Sequence, residues 1–374
     1  MNLVPIESTV PAERSLYLGA SPNRRPHTAL TQWLDWMPEA TPAFGEQNPV
    51  WQFQLQMAEM FGKEAALILP TGKMAQQIAL RIAADDSGVR TFAAHPSTHL
   101  VYWELDGYSL VHDLTFAPLG DPDRLFDRAD IEGLATPVST VLWELPQREI
   151  GGVLPGRQAL SEQIAAARMA GARVHLDGAR VWEAQTFYQV SFEEIAAEFD
   201  SVYVSLYKSL EVPRGAVLLG TQDFIDKASR WAIRLGGESA GNWPMAVAGM
   251  YAVGNVLPRM AAYRERALEI AAALRDVGVS TRPSPPQTPF FMVELPVGAE
   301  AAAAAHRELS AETGIELCRF LRPGTTPDRS SFEISVSAAA DSISTAEITG
   351  FVAQLIARAD SSSPVGTSLT KDHQ

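Results

Sequence analysis

Four short stretches set a reactive or charged side chain where an apolar run stops, and each offers a different chemistry. In "SVYVSLYKSLEVPRG" (201–215) an alternating β-branched run ends at Lys208. Desolvation or a neighbouring cation at such a place lowers an amine's pKa and frees a nucleophile. In "VHLDGARVWEA" (174–184) Asp177 closes a strand pattern with Arg180 three residues on. A carboxylate there is buried at a cost unless a cation accompanies it. Either Arg180 is that cation, or a protonated heterocycle is. In "HPSTHLVYWE" (95–104) His99 opens a helical run, placing an imidazole that can stack on a flat ring or accept a proton near neutral pH; a satisfied structural histidine is the plainer alternative. In "ILPTGKMAQQ" (68–77) a strand stops and Thr71-Gly72-Lys73 open a helix, whose first N–H groups suit a phosphate as well as an ordinary cap. His175, inside a strand pattern, reads as core.

Taken in chain order, these are a phosphate seat, a ring-stacking imidazole, an acid for a pyridinium nitrogen and an amine for an aldehyde. Together they are the parts that hold pyridoxal 5′-phosphate.

The elements that must position them alternate. "AALILP" leads to "KMAQQIALRIAA", "VSTVLWELP" precedes "GRQALSEQIAAARMAG", and "ARVHLDGA" precedes "SFEEIAAEF". Strand and helix at this spacing predict an α/β fold with a mostly parallel sheet, its chemistry at the carboxyl ends of the strands. Residues 1–45, rich in Pro, Ser and Arg, read as an arm lying on a surface, and 46–255 as the large domain. After the Pro-rich "STRPSPPQTP", the strand candidates "FFMVELPV", "GIELCRFL" and "SFEISVS" make 256–358 a small α+β domain. Residues 359–374 are poor in apolar side chains and are expected to be disordered.

Composition narrows the function classes. With 374 residues, 46% hydrophobic and 20% charged, the chain reads as an ordinary globular protein. A net charge of −14 argues against nucleic-acid and anionic-membrane partners. A single cysteine, Cys318, excludes an intrachain disulfide and a cysteine-rich metal site, so no metal is expected; it reads as a packed small hydrophobe. The N-terminus lacks a signal-peptide core and no run reaches membrane-spanning length, which predicts a cytoplasmic protein.

At these residues the sequence resembles the threonine aldolase / β-eliminating lyase group of fold-type-I pyridoxal-phosphate enzymes. The resemblance runs from about residue 40 to about Gly249 and more loosely to 358. "FGKEAALILPTGKMAQQIAL", "VHLDGARVWEA" and "DSVYVSLYKSLEVPRGAVLLG" carry most of it. It implies a seven-stranded cofactor domain, a small C-terminal domain, and a homodimer or homotetramer acting on an amino-acid substrate. It also implies roles: Lys208 bonded to the cofactor aldehyde, Asp177 on the pyridine nitrogen, and Arg180 near the phenolic oxygen or the substrate. His99 would stack on the ring and help remove a hydroxyl proton; Thr71, Gly72 and Lys73 would contact the phosphate. The implied reaction is cleavage or formation of the Cα–Cβ bond of a β-hydroxy-α-amino acid.

The departures from the family are specific. Glu144-Leu145-Pro146-Gln147 puts Gln147 where a histidine is usual, and an amide can orient a water or hydroxyl but cannot take up a proton. "LGG" continues as Glu238-Ser239-Ala240-Gly241. Glu333 stands near the place of an arginine for the substrate carboxylate, with Arg319, Arg322 and Arg329 as replacements to hand. Tyr207, before the lysine, replaces a small residue. These changes leave open β-elimination, racemisation or amino transfer, and a binding module without catalysis.

Overall fold

The computed structural model describes residues 3–6, 14–37, 41–42, 44–238 and 240–362. Two short strands open the chain, β1 (Val4–Pro5) and β2 (Arg14–Ser15), followed by a helix over Pro26–Trp36 and another over Pro49–Met60. The main sheet then uses β3 (Ala65–Leu69), β4 (Thr91–Ala94), β5 (Thr115–Pro118), β6 (Thr140–Glu144), β7 (Arg173–Gly178), β8 (Ser201–Ser205) and β9 (Ala216–Gly220). Its seven strands run in the order β3-β9-β8-β7-β6-β4-β5, and β9 alone is antiparallel to both neighbours.

β3 and β9 read as unbroken apolar runs because both their faces are covered. Along β3, Ala66 and Ile68 join one core while Leu67 and Leu69 join another; along β9, Val217 and Leu219 alternate in the same way with Ala216 and Leu218. The second core lies under the Gly72–Ser87 and Gln222–Arg234 helices. Val174 and Leu176 of β7 face the first core, so His175 and Asp177 face the Gly72–Ser87 helix.

The second, five-stranded sheet gathers β10 (Ser280–Arg282), β11 (Phe290–Leu295), β13 (Phe320–Pro323) and β14 (Ser330–Ser335), with β1 on its edge; the short β12 (Ile315–Glu316) pairs with β2. Three expectations change here. The single strand expected over 314–321 is instead two strands in two sheets, because the N–H groups of Leu317 and Cys318 donate to His306 Nε2 at 3.2 and 3.3 Å rather than to a ladder. The first residues are stitched into the small sheets through β1 and β2. The last helix, Thr345–Ser362, continues past residue 359, since Leu355 and Ala359 are fully buried on its inner face. The rest of the expected tail, 363–374, lies outside the described residues, as does Ser239. Cys318 is free and buried, as a packed hydrophobe should be. Among the described residues no helix is long and apolar enough to cross a membrane.

Candidate active site

Register brings the polar strand ends together. Glu144 pairs with Asp177 and Asp177 with Tyr203 across three adjacent strands, so all three side chains emerge side by side on the face covered by the Gly72–Ser87 helix. Each sits at or near the carboxyl end of its strand, where α/β sheets bind ligands.

Asp177 is 4% exposed. Its Oδ1 accepts from the Ala179 N–H at 2.9 Å and its Oδ2 from the Gln76 amide. Gln76 lies one turn beyond Gly72, on the same helical face, and its Oε1 is 3.0 Å from His175 Nε2, whose Nδ1 meets Ser201 Oγ at 2.7 Å. Burial drops the His175 pKa to about 3, so the neutral ring donates to Gln76 and the amide is fixed to donate to Asp177. The acid is therefore held by neutral amides, and burial pushes its pKa up. The ion pair of Arg180 is with Glu183 instead, its Nε 3.6 Å from Oε1 and without a hydrogen bond; the guanidinium lies over the Phe290 ring at 4.7 Å.

Lys208 follows β8 on a turn closed by the Glu211 N–H to its carbonyl at 3.0 Å. Burial, then the charges of Arg180 and Arg148, lower its pKa to about 7. Arg24 clamps this turn from outside, donating to the carbonyls of Tyr207 and Lys208.

His99 Nδ1 is 3.0 Å from Glu104 Oε1, and Gln77 donates to Glu104 Oε2 at 2.6 Å. With Nδ1–H donating, Nε2 is the nitrogen that can accept a proton. The His99 N–H donates to Glu144 Oε1 at 2.7 Å, and burial beside Asp177 raises the Glu144 pKa. At the helix start, the Gly72 N–H donates to the Tyr207 hydroxyl at 3.3 Å, which is 3.4 Å from the Tyr203 hydroxyl. A Cβ on Gly72 would overlap Tyr203. The helix start thus presents a phenol as well as backbone N–H groups.

Lys208, His99, Arg180, Arg148 and Tyr207 line both a cavity of about 560 Å³ and a small inner one of about 30 Å³. Asp177, Gly72 and Lys73 line the inner one, Arg319 and Arg322 the outer one. Three expected residues do otherwise. The Thr71 hydroxyl accepts from the Met74 N–H at 3.3 Å, an N-cap. Lys73 Nζ is drawn to the Trp103 carbonyl at 2.7 Å, leaving its backbone N–H to the helix start. Gln147 is 2% exposed, lines neither cavity, and donates to Glu144 Oε2 at 3.1 Å. Residue-by-residue reading missed Gln76, Glu104, Arg148 and Glu149. Gln76 was legible from its helical spacing to Gly72, and Glu104 from its place in the same short run as His99.

The sequence signature of the beta-eliminating lyases matches residues 35–297. Among curated proteins, the low specificity L-threonine aldolase of Escherichia coli K12 is 29% identical over 286 residues, covering 75% of this chain and 84% of the relative. Among solved structures, a Listeria monocytogenes protein proposed to be an L-allo-threonine aldolase superposes with a TM-score of 0.86 at 35% identity, over 93% of this chain and 97% of its own. An Exiguobacterium protein proposed to be an aromatic amino acid beta-eliminating lyase or threonine aldolase gives 0.84 at 30%, over 93% and 98%. With matches of this extent and a sheet whose strand ends carry these side chains, the chain belongs to the beta-eliminating lyase family.

Proposed function

We propose that the chain is a pyridoxal-phosphate-dependent lyase that cleaves the Cα–Cβ bond of a β-hydroxy-α-amino acid into an aldehyde and a smaller amino acid, or forms that bond in reverse. The observation that carries this reading is that Asp177 and Lys208, an acid without a cationic hydrogen-bond donor and an amine short of a proton near neutral pH, line one inner cavity. Both defects are what a cationic, aldehyde-bearing ring would relieve, and the Arg180 Nε without a hydrogen bond faces the same need.

Bound there, pyridoxal phosphate supplies an aldehyde that joins to amines and a ring that takes up the electron pair of the breaking bond. Asp177 keeps the proton on the ring nitrogen, and Gln76 and the Ala179 N–H hold that carboxylate in place. Lys208 Nζ is the chain's own amine for the aldehyde. Gly72, the Lys73 N–H and the Tyr207 hydroxyl receive the phosphate. His99 Nε2 accepts the substrate's hydroxyl proton, and Glu104 on Nδ1 stabilises the imidazolium that results.

Two coarser features complete the reading. Leu30, Leu34, Trp36, Trp51 and Leu55 are exposed on the two helices before β3, which supports a homodimer or homotetramer. A free, buried cysteine supports a reducing, cytoplasmic setting.

The test is to supply the purified holoprotein with threonine, allo-threonine and phenylserine. Aldehyde and glycine in equal amounts are expected. Keto acid without aldehyde would move the reaction to β-elimination.

A further inference from the structure

Arg148, Arg322 and Glu333 on the wall of the outer cavity, with Glu149 on that of the inner one, form an arrangement of four charges to which the proposed chemistry assigns no role. Arg148 and Arg322 share two carboxylates. Glu149, with only 3% of its side chain exposed, takes one amino group of each: Nη1 of Arg148, and Nη1 of Arg322 at 2.5 Å. It is also fixed by the Trp103 indole N–H at 2.9 Å, and the same ring lies 5.4 Å from the Arg148 guanidinium carbon. The other amino group of each arginine converges on a single oxygen: Arg148 Nη2 is 2.5 Å and Arg322 Nη2 3.2 Å from Glu333 Oε2.

The two acids are not equivalent. Glu149 is enclosed and has three donors, so it is the permanent counterion. Glu333 lies on the cavity wall with 26% of its side chain exposed and projects from the middle of β14, where Met292 is its cross-strand neighbour. Two converging guanidiniums make a carboxylate seat, and this one opens on the cavity that Lys208 and His99 also line.

We propose that Glu333 is an internal stand-in for the substrate's carboxylate: it occupies the seat made by Arg148 and Arg322, and an amino-acid substrate enters by displacing it. This rests on the amino-acid reading above. The exchange trades one carboxylate for another of equal charge, so the bound state leaves both arginines compensated, while a ligand without a carboxylate gains nothing there. Because the seat is open only for the fraction of molecules in which Glu333 is turned away, apparent affinity for the substrate is lowered by that fraction. Glu333 thereby selects for a carboxylate strong enough to compete with it. Glu333, near the place where the resemblance implies an arginine, becomes a device for specificity.

The experiment titrates the pyridoxal-phosphate-loaded protein with glycine and, separately, with ethanolamine, which has the amine but no carboxylate, reading equilibrium binding from the visible absorbance. In Glu333→Gln the dissociation constant for glycine is expected to fall on the order of tenfold while that for ethanolamine stays the same. Glu333→Asp, which keeps the charge, falls between, and Arg148→Gln weakens glycine at least as much as Glu333→Gln strengthens it. Weaker glycine binding in Glu333→Gln, or equal tightening of both ligands, overturns the proposal while leaving the cofactor reading intact. A protein with no visible band in any variant overturns the cofactor reading and this proposal with it.

Discussion

At the scale of residues, the account turns on two perturbed groups. Lys208 reacts as its neutral amine, the form present above its pKa, and that pKa is lowered from 10.5 to about 7 by burial and by the charges of Arg180 and Arg148. The rate at which apoprotein captures pyridoxal phosphate should therefore climb up to about pH 7 and level off above it; an ordinary lysine would still be accelerating at pH 9. Stopped-flow absorbance reads this directly. Asp177→Asn keeps the shape of the site and removes the charge. Breaking a buried ionic pair costs about 3–5 kcal/mol, so kcat should fall by roughly two to four orders of magnitude while the cofactor still binds. That Lys208 and Asp177 stand at one cavity was legible because each comes at the end of an apolar run, and His99 because it opens a helical run. Arg148 was not, since nothing local marks it: its importance comes from Glu333 and Arg322, which lie in the small sheet and reach it only through the fold.

At the scale of elements, the helix over Gly72–Ser87 does two things at once. Its first turn meets the Tyr207 hydroxyl, and its next turn sends Gln76 to Asp177. Gly72 is required at that start because a side chain there would overlap Tyr203. Gly72→Ala should cost about 1–3 kcal/mol of stability by overpacking and weaken cofactor affinity on the order of tenfold, measured by thermal denaturation and by equilibrium dialysis. The alternation of strand and helix was plain in the sequence at β3, β6, β7 and β8, which are buried along nearly their whole length, and not at the edge strand β5, whose Thr115 and Pro118 are exposed. The split of the strand expected over 314–321 was not, since the cause is a histidine in another element, His306, that draws two backbone N–H groups out of any ladder.

At the scale of the whole molecule, the parts that a sequence reading assigned to the periphery reach the centre. The first residues add strands to the small sheets, and Arg24 grips the turn that carries Lys208. The exposed apolar side chains of the Pro26–Trp36 and Pro49–Met60 helices lie just after that clamp in the chain. We take them as the face that joins copies of the chain, and the boundary between large and small domains as lying near Val256. Leu30→Glu with Leu34→Glu should lower the mass seen by light scattering, with Lys208 chemistry retained if the subunit's own site is complete. The most direct test of the central claim is to reduce the holoprotein with borohydride and map the pyridoxyl group by peptide mass spectrometry. The account predicts the label on Lys208. Label on Lys63, Lys73, Lys227 or Lys371 instead, or on no lysine, would contradict it.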